Sequence, residues 1–454
     1  MPLTPLDQLD LGLLRVVLSD GDDPKFNLSS YLLSLSADAA HLAIGRGKRL
    51  LIVPLQSAGA PVILHLQTGD SVCSLAWVDH ETQSAILVAG FSTGRLSAFT
   101  RSGQLLWSAM PHGSRFASLI QLQSSVEHGL LGLHSDGLLT FAPSISQMSS
   151  PSGGPSQLWQ YSLPPHESKG CHAIVQCGPL PPLPLDLTLP SGFGGDDATA
   201  FSPDKLIFVA ALDDELQLHT AKPPAAKAVM RTRSSRLVSS GLSALSSWLS
   251  GGGAAAESGV ESGEEGEGGP TADAPIDWVD TLPLSPGPVP QLQPTRRLGE
   301  TDLVRAFADA PRQFVVLSLE PRRQRWLAAT DSLGRVTVFE PKSLVATRIF
   351  KGYRDAQLGW TDAASANVDA LKTAALLVIY APRRGLLEVW RVPSGGRLFA
   401  CSVGPDCVLL MPPMLPPSPS RTAADVEALD LSTSAPRCFL LQPSGLLHVV
   451  RSHE

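Results

Sequence analysis

Residues 326–339 read WLAATDSLGRVTVF: an apolar run, a short polar turn that contains Gly334, and a second run in which apolar residues alternate. Glycine tolerates the positive φ angle that tight hairpin turns need, and alternation at every second residue is typical of a strand. The stretch therefore predicts a β-hairpin. Its first arm is small and apolar throughout, which favours an inner strand buried on both faces, and its second arm favours a more peripheral strand.

The same pattern recurs along the chain, which indicates a repeat fold. Glycine occupies the turn in every copy except one, where Asp213 and Asp214 form it. Most intervals between successive turns are close to the length of a four-stranded propeller blade, which is about 40 to 45 residues. With residues 326–339 there are seven copies, the others being residues 42–53, 86–99, 130–141, 206–219, 376–390 and 438–450.

Two of the intervals between turns are longer than a blade, and both contain insertions. The interval after Gly137 is rich in proline and glycine, which is typical of loops. It also contains SQLWQYSL and CHAIVQC, which look like strands, so an extra blade in this interval is the alternative. The next interval contains residues 221–297, a low-complexity segment that cannot bury enough apolar surface to offset its chain entropy. We expect residues 221–297 to be a disordered insertion.

These features together predict an all-β fold: one WD40-like β-propeller domain over residues 1–454, with seven blades and a range of six to eight. A β-sandwich or two separate β domains is the alternative. Propellers mostly serve as rigid platforms for partners, so the fold by itself implies no reaction.

Composition and charge restrict the function of such a propeller. Hydrophobic residues make up 43% of the chain, and its net charge of -7 argues against a nucleic-acid binder, since phosphate contact needs a clustered basic face. The six cysteines include no C-x-x-C pair and the histidines show no ligand spacing, so we expect no disulfide scaffold, no metal and no cofactor. The N-terminus lacks a secretory pattern and no apolar run approaches about 18 residues, which favours the cytoplasm.

One stretch matches a catalytic motif. GFSTG at residues 90–94 fits the G-x-S-x-G pattern of a hydrolase, which needs a helix after the serine. The next residues, RLSAF, alternate like a strand, so we interpret Ser92 as a turn residue. Asp331 is likewise interpreted as a carboxylate that binds turn amides. The sequence therefore predicts that the chain is not an enzyme.

The insertion contains one amphipathic segment, residues 236–250, in which apolar side chains recur at helical spacing opposite serines and follow basic residues. Such a serine-rich helix is typical of segments that detect loosely packed, anionic lipid. A helix packed on the propeller or on a partner, or plain disorder, is the alternative. The candidate membrane contacts are Arg236, Val238, Leu242, Leu245, Trp248 and Leu249.

A polar decapeptide, KGYRDAQLGW at residues 351–360, lies between two apolar hairpins and is expected to link two blades across one face of the ring. With LVIYAPRRGLLEVW at residues 377–390, it resembles the N-terminal domain of the non-catalytic, regulatory subunit of the Rab-3 GTPase-activating protein complex. The resemblance is firm over residues 323–412, and SALSSWLSG at residues 243–251 agrees more loosely.

This resemblance implies a heterodimer whose other subunit carries the GTPase-activating chemistry, with a Rab-3-like or Rab-18-like GTPase as a further partner. It also implies guanine-nucleotide exchange on Rab-18 at the endoplasmic reticulum, and roles in vesicle trafficking, autophagy and lipid-droplet traffic. Members of that family are much longer than this chain and have a large helical C-terminal part. A generic WD40-like scaffold propeller in membrane trafficking is the alternative function.

We predict that the decapeptide and the PRRG turn form a partner-binding surface. Its arginines and lysine would form a cationic cluster that docks the partner subunit or an acidic Rab surface, with the two aromatic rings as anchors. In the alternative, the carboxylate pairs with an arginine inside a rigid link and the tryptophan fills the core. The predicted contacts are Lys351, Tyr353, Arg354, Asp355, Gln357, Trp360, Arg383 and Arg384.

Overall fold

The computed structural model describes residues 3–9, 30–55, 60–66, 69–80, 83–122, 129–142, 158–163, 171–178, 206–221, 296–309, 311–321, 324–362, 375–393, 395–413 and 438–450. Most of the predicted insertion and all six candidate membrane contacts lie outside these residues. Within the described residues, no helix has the length and hydropathy to span a membrane.

The described residues form 29 strands and, between two of them, a short 3-10 helix, Pro382–Arg384. In chain order the strands are β1 Leu3–Gln8, β2 Leu32–Leu35, β3 His41–Arg46, β4 Arg49–Pro54, β5 Val62–His65, β6 Val72–His80, β7 Gln83–Phe91, β8 Leu96–Phe99, β9 Leu105–Ala109, β10 Phe116–Leu122, β11 Gly129–His134, β12 Leu138–Ala142, β13 Trp159–Ser162, β14 Cys171–Gly178, β15 Leu206–Leu212, β16 Glu215–Ala221, β17 Arg296–Glu300, β18 Asp302–Ala308, β19 Phe314–Leu319, β20 Leu327–Asp331, β21 Arg335–Glu340, β22 Val345–Lys351, β23 Gln357–Asp362, β24 Ala375–Ala381, β25 Leu386–Arg391, β26 Arg397–Ser402, β27 Val408–Leu410, β28 Cys438–Leu441 and β29 Leu446–Val450.

These strands assemble into seven sheets, each built on four antiparallel strands, which we number as blades 1 to 7 in chain order. From the first strand to the fourth, blades 1 to 6 are β2 to β5, β6 to β9, β10 to β13, β14-β15-β16-β18, β19 to β22 and β23 to β26. Blade 3 has a fifth strand, β17, which runs parallel to β13. Blade 7 is β27-β28-β29-β1, so it combines both ends of the described chain.

The first strands of the seven blades contact one another in a closed circle. β2 contacts β6, and the series continues through β10, β14, β19, β23 and β27 back to β2. The chain is therefore a seven-bladed β-propeller, as the repeats predict, and the sandwich and two-domain alternatives are excluded. The pairing of β1 with β29 closes the ring.

Both arms of each predicted hairpin lie in the middle of a blade. Residues 326–339, for example, form the second and third strands of blade 5, and β19 and β22 flank them. The expected contrast between the two arms holds in part. The second arm is the more peripheral strand of each pair and is the less buried one in blades 5 and 6. In blade 4, however, β15 and β16 are both buried along their whole length. Polar residues of the second arm such as Gln217 and His219 are enclosed within the propeller instead of facing solvent.

The described residues of the first long interval form no extra blade. The two stretches that looked like additional strands are β13, the fourth strand of blade 3, and β14, the first strand of blade 4. In the second interval β16 extends to Ala221 and β17 begins at Arg296. The outermost residues of the predicted insertion therefore belong to strands.

The core lies in the seams between neighbouring blades. The seam of blades 5 and 6 buries Val336, Phe350, Trp360 and Ile379, and comparable clusters occupy five other seams. Side chains also bond across seams: the indole of Trp360 donates to the carbonyl of Ser318 at 3.2 Å. Since neighbouring blades meet mainly through side chains, apolar burial is the main force that holds the ring together.

One face of the ring carries the hairpin turns and the links between blades. Because successive strands are antiparallel, the turn from the second strand to the third emerges at the same edge as the link to the next blade. Hydrogen bonds join the two: the N–H of Val72 donates to Gly47 at 2.8 Å, and that of Val403 donates to Gly385 at 2.8 Å. We call this side, marked by the turn glycines, the turn face.

Ser92 and Asp331 are turn residues on this face, as predicted. The strand β8 follows Ser92, whose Oγ accepts the N–H of Ser71 at 3.1 Å. The Asp331 carboxylate accepts the N–H groups of Leu333 and Arg335 at 3.0 and 2.9 Å. Both side chains therefore shape backbone turns.

We expect Gly94→Ala to lower the free energy of unfolding by about 3 kcal/mol or more, because a Cβ there would lie 1.9 Å from the carbonyl oxygen of His112 and φ is 78°. Gly47→Ala is the matched control, with φ of 55° and no atom within 4 Å of the new Cβ. It should cost only about 1 to 2 kcal/mol of backbone strain. Urea denaturation measures both; equal losses would show that the close approach of link and turn is incorrect.

Candidate functional site

The polar decapeptide, residues 351–360, crosses the turn face from the end of β22 in blade 5 to β23 in blade 6. The N–H groups of Gly352 and Tyr353 donate to the carbonyl of Gly334 at 3.1 and 2.8 Å. A Cβ on Gly334 would lie only 2.9 Å from the backbone nitrogen of Arg354. The link and the hairpin turn of blade 5 thus pack directly against each other.

Asp355 connects the link to the turn of blade 6. Its φ is 60°, and its carboxylate accepts the Nε–H of Arg383 at 2.7 Å, with both side chains 60% exposed. Arg383 lies in the 3-10 helix, and Gly385, with φ of 59°, caps the C-terminus of this helix. An ion pair so exposed to water contributes at most about 1 kcal/mol, so its main effect is to orient Arg383.

Tyr353 points into the seam of blades 5 and 6 and is 6% exposed. Its hydroxyl donates to Oε2 of Glu388, a carboxylate 1% exposed, whose Oε1 accepts from Nη1 of Arg397 at 2.8 Å. Burial, and then the bond to Glu388, raise the pKa of Tyr353 to about 12. The hydroxyl therefore keeps its proton and its donor role throughout the neutral range.

Trp360 is fully buried in the same seam, so neither predicted aromatic anchor reaches the surface. Tyr353 packs edge-on against Phe350, with ring centroids 6.2 Å apart. The expectation that these two rings anchor a partner is therefore corrected. Burial in the seam removes more apolar surface from water than a rim position would, which agrees with the alternative of a core role.

Gln357 joins two blades instead of facing solvent. Its Nε2 donates to the carbonyl of Cys407 at 3.2 Å, and its Oε1 accepts the N–H of Leu409 at 2.6 Å. Leu409 lies in β27, the first strand of blade 7. The side chain therefore secures blade 6 to blade 7.

The predicted cations are all exposed, at the end of β22, on the link between blades 5 and 6, and on the turn of blade 6. Arg384 lies over the Tyr353 ring, 5.6 Å from its centroid. Lys351 is opposite Arg335 in the β21–β22 register, and both lie on the side of the blade that packs against blade 4, as Phe339 does. We call the set Arg335, Lys351, Arg354, Arg383 and Arg384 the cationic row.

Sequence reasoning missed two members of this region, Arg335 and Leu333. Leu333 is 52% exposed at the tip of the turn of blade 5, next to the glycine that packs on the link. The available signal was the composition of the turn, because tips usually carry Gly, Asn, Asp or Ser instead of leucine. Leu333 gives the cationic row an exposed apolar side chain.

Comparison with known families identifies one match. The family model described as Rab3 GTPase-activating protein regulatory subunit N-terminus matches residues 146–410, which include blades 4, 5 and 6 in full and the whole cationic row.

Individual proteins match in part. The Rab3 GTPase-activating protein regulatory subunit of Caenorhabditis elegans is 41% identical over 76 residues, which cover 17% of this chain and 6% of that protein. Two solved structures also align with this chain. The β-propeller domain of Myceliophteria thermophila Cps50 (Swd1) has a TM-score of 0.45 and 11% identity, covering 93% of this chain and 96% of that one. A chain of the Mitotic Checkpoint Complex has a TM-score of 0.48 and 9% identity, covering 100% and 96%.

We expect Tyr353→Phe to lower the free energy of unfolding by about 1 to 3 kcal/mol, because the buried Glu388 carboxylate then loses one of its two donors. Urea denaturation measures the loss. Glu388→Gln changes the other partner of this hydrogen bond. The double variant should lose less free energy of unfolding than the sum of the losses of the two single variants, because each single variant already removes the same bond. Strict additivity would contradict the Tyr353–Glu388 bond.

Proposed function

Because the chain belongs to the Rab3 GTPase-activating protein regulatory subunit N-terminus family, we propose that it is the docking platform of a non-catalytic regulatory subunit. On this proposal its turn face binds the catalytic subunit of a Rab GTPase-activating complex and a Rab GTPase. The observation that carries the proposal is the cationic row, which lies within the matched residues. The GTPase-activating chemistry resides with the partner subunit.

The charge of the cationic row supports an acidic partner surface. The whole chain has a net charge of -7, so five cations on adjoining turns and links are a local exception. Such a patch attracts acidic surfaces and accelerates encounter, and guanidinium groups bind carboxylates through paired hydrogen bonds. Acidic protein surfaces are therefore favoured over apolar ones.

The rigidity of the row also supports docking. Gly352 and Tyr353 are bonded to the turn of blade 5, Asp355 orients Arg383, and Arg384 stacks on Tyr353. A surface that is already ordered loses little conformational entropy when a partner binds.

The family resemblance also supports finer proposals. We propose that the subunit acts in the cytoplasm and at the endoplasmic reticulum membrane, that its complex supports nucleotide exchange on a Rab-18-like GTPase, and that it serves vesicle trafficking and autophagy. The candidate membrane contacts, Arg236 to Leu249, lie outside the described residues, so peripheral membrane contact rests on sequence alone.

The experiment is a pull-down with purified catalytic subunit and GTP-loaded Rab. We expect Arg383→Glu combined with Arg384→Glu to weaken capture by about 10-fold or more, because each change replaces an exposed attractive charge with a repulsive one. Arg305→Glu combined with Arg325→Glu is the charge-matched control, since both arginines are exposed outside the cationic row. Circular dichroism verifies that all variants fold.

Equal capture by the two double variants would show that the cationic row is not the docking surface. A wild-type chain that captures neither partner would instead favour the alternative of a generic scaffold propeller.

A further inference from the structure

Leu333 has a fixed backbone and an exposed side chain. Its N–H donates to Oδ1 of Asp331 at 3.0 Å, and the next residue, Gly334, donates to the carbonyl of Asp331 at 3.1 Å. The side chain projects from this rigid turn and is 52% exposed. A leucine held in water by an ordered turn gains apolar burial only from a partner.

Cations flank the turn that carries Leu333. Arg335 follows it in the chain by two residues, and Arg354 packs its backbone against Gly334. Lys351 is opposite Arg335 in the strand register. Arginine is enriched among the residues that contribute most to binding at protein interfaces, and an exposed apolar side chain beside it adds surface that a partner can remove from water.

The acids nearby are already used within the fold. Asp331 is buried and binds turn amides, and Asp355 is paired with Arg383. Among the described residues no carboxylate lies within ion-pair distance of Arg335, Lys351, Arg354 or Arg384. These cations are therefore open to carboxylates supplied from outside the ring.

We propose that Leu333 is the apolar centre of the docking surface, and that its occupant is an acidic segment of the catalytic subunit that places an apolar side chain against it. This inference rests on the proposed function and adds to it the chemistry of the partner segment. The four cations that have no ion pair among the described residues predict acidic residues in the partner segment, and Leu333 predicts its apolar residue. A fixed surface with an apolar centre suits a lasting contact between subunits better than a brief encounter.

The test is real-time binding of the immobilised chain to purified catalytic subunit at several salt concentrations. Leu333→Ser should raise the dissociation constant about 10- to 100-fold, mainly through faster dissociation, because it deletes buried apolar contact and no charge. Arg384→Glu should slow association and reduce its salt dependence. Serine suits the turn, so urea denaturation should find Leu333→Ser as stable as the wild type.

Met110→Ser is the matched control, because Met110 is 65% exposed on the link between blades 2 and 3, also on the turn face. It should bind the catalytic subunit as the wild type does. If Leu333→Ser and Met110→Ser bind equally well, the inference is overturned while the proposed function stands. If Leu333→Ser loses GTP-loaded Rab but keeps the catalytic subunit, the assigned occupant is overturned. Failure of the wild-type chain to bind the catalytic subunit would overturn the proposed function itself.

Discussion

Apolar packing between neighbouring blades is the interaction on which the rest of the structure depends. The blades meet through side chains such as Val336, Phe350, Trp360 and Ile379 in the seam of blades 5 and 6. The first strand of the chain, β1, pairs with β29 and so completes the last blade of the ring. This closure brings turns and links that are distant in the sequence to one face, where they form a shared surface.

The seam also sets the position of exposed charges. Glu388 is almost fully buried and is held between the hydroxyl of Tyr353 and the guanidinium of Arg397. A buried carboxylate is tolerated only when donors satisfy it, so this arrangement keeps Tyr353 in one orientation. Arg384 lies over the ring that is held in this way. The polar network in the core thereby orders part of the cationic row.

The hairpins were predictable because their signals are local. Apolar arms and turn residues, glycine in six copies and aspartate in one, identified the second and third strands of all seven blades. Ser92 and Asp331 were assigned to turns from the same local signals. The flanking strands gave weaker signals. β22, VATRIFK, is largely exposed, and the parallel pairing of β17 with β13 depends on distant parts of the chain.

The candidate site was predictable only in part. The exposed cations follow from their turns, but an aromatic ring suits a core and an interface equally well, so the burial of Tyr353 and Trp360 required the seam. The side of the blade on which Lys351 lies depends on its register with β21, which contains an irregularity between Val338 and Phe339. Amide hydrogen exchange of the chain, alone and with saturating catalytic subunit, tests the central claim most directly. Our account predicts slower exchange at residues 331–335 and 351–356, with residues 324–326 at the opposite edge of blade 5 unchanged. Formation of the complex with no change at residues 331–335 and 351–356 would contradict it.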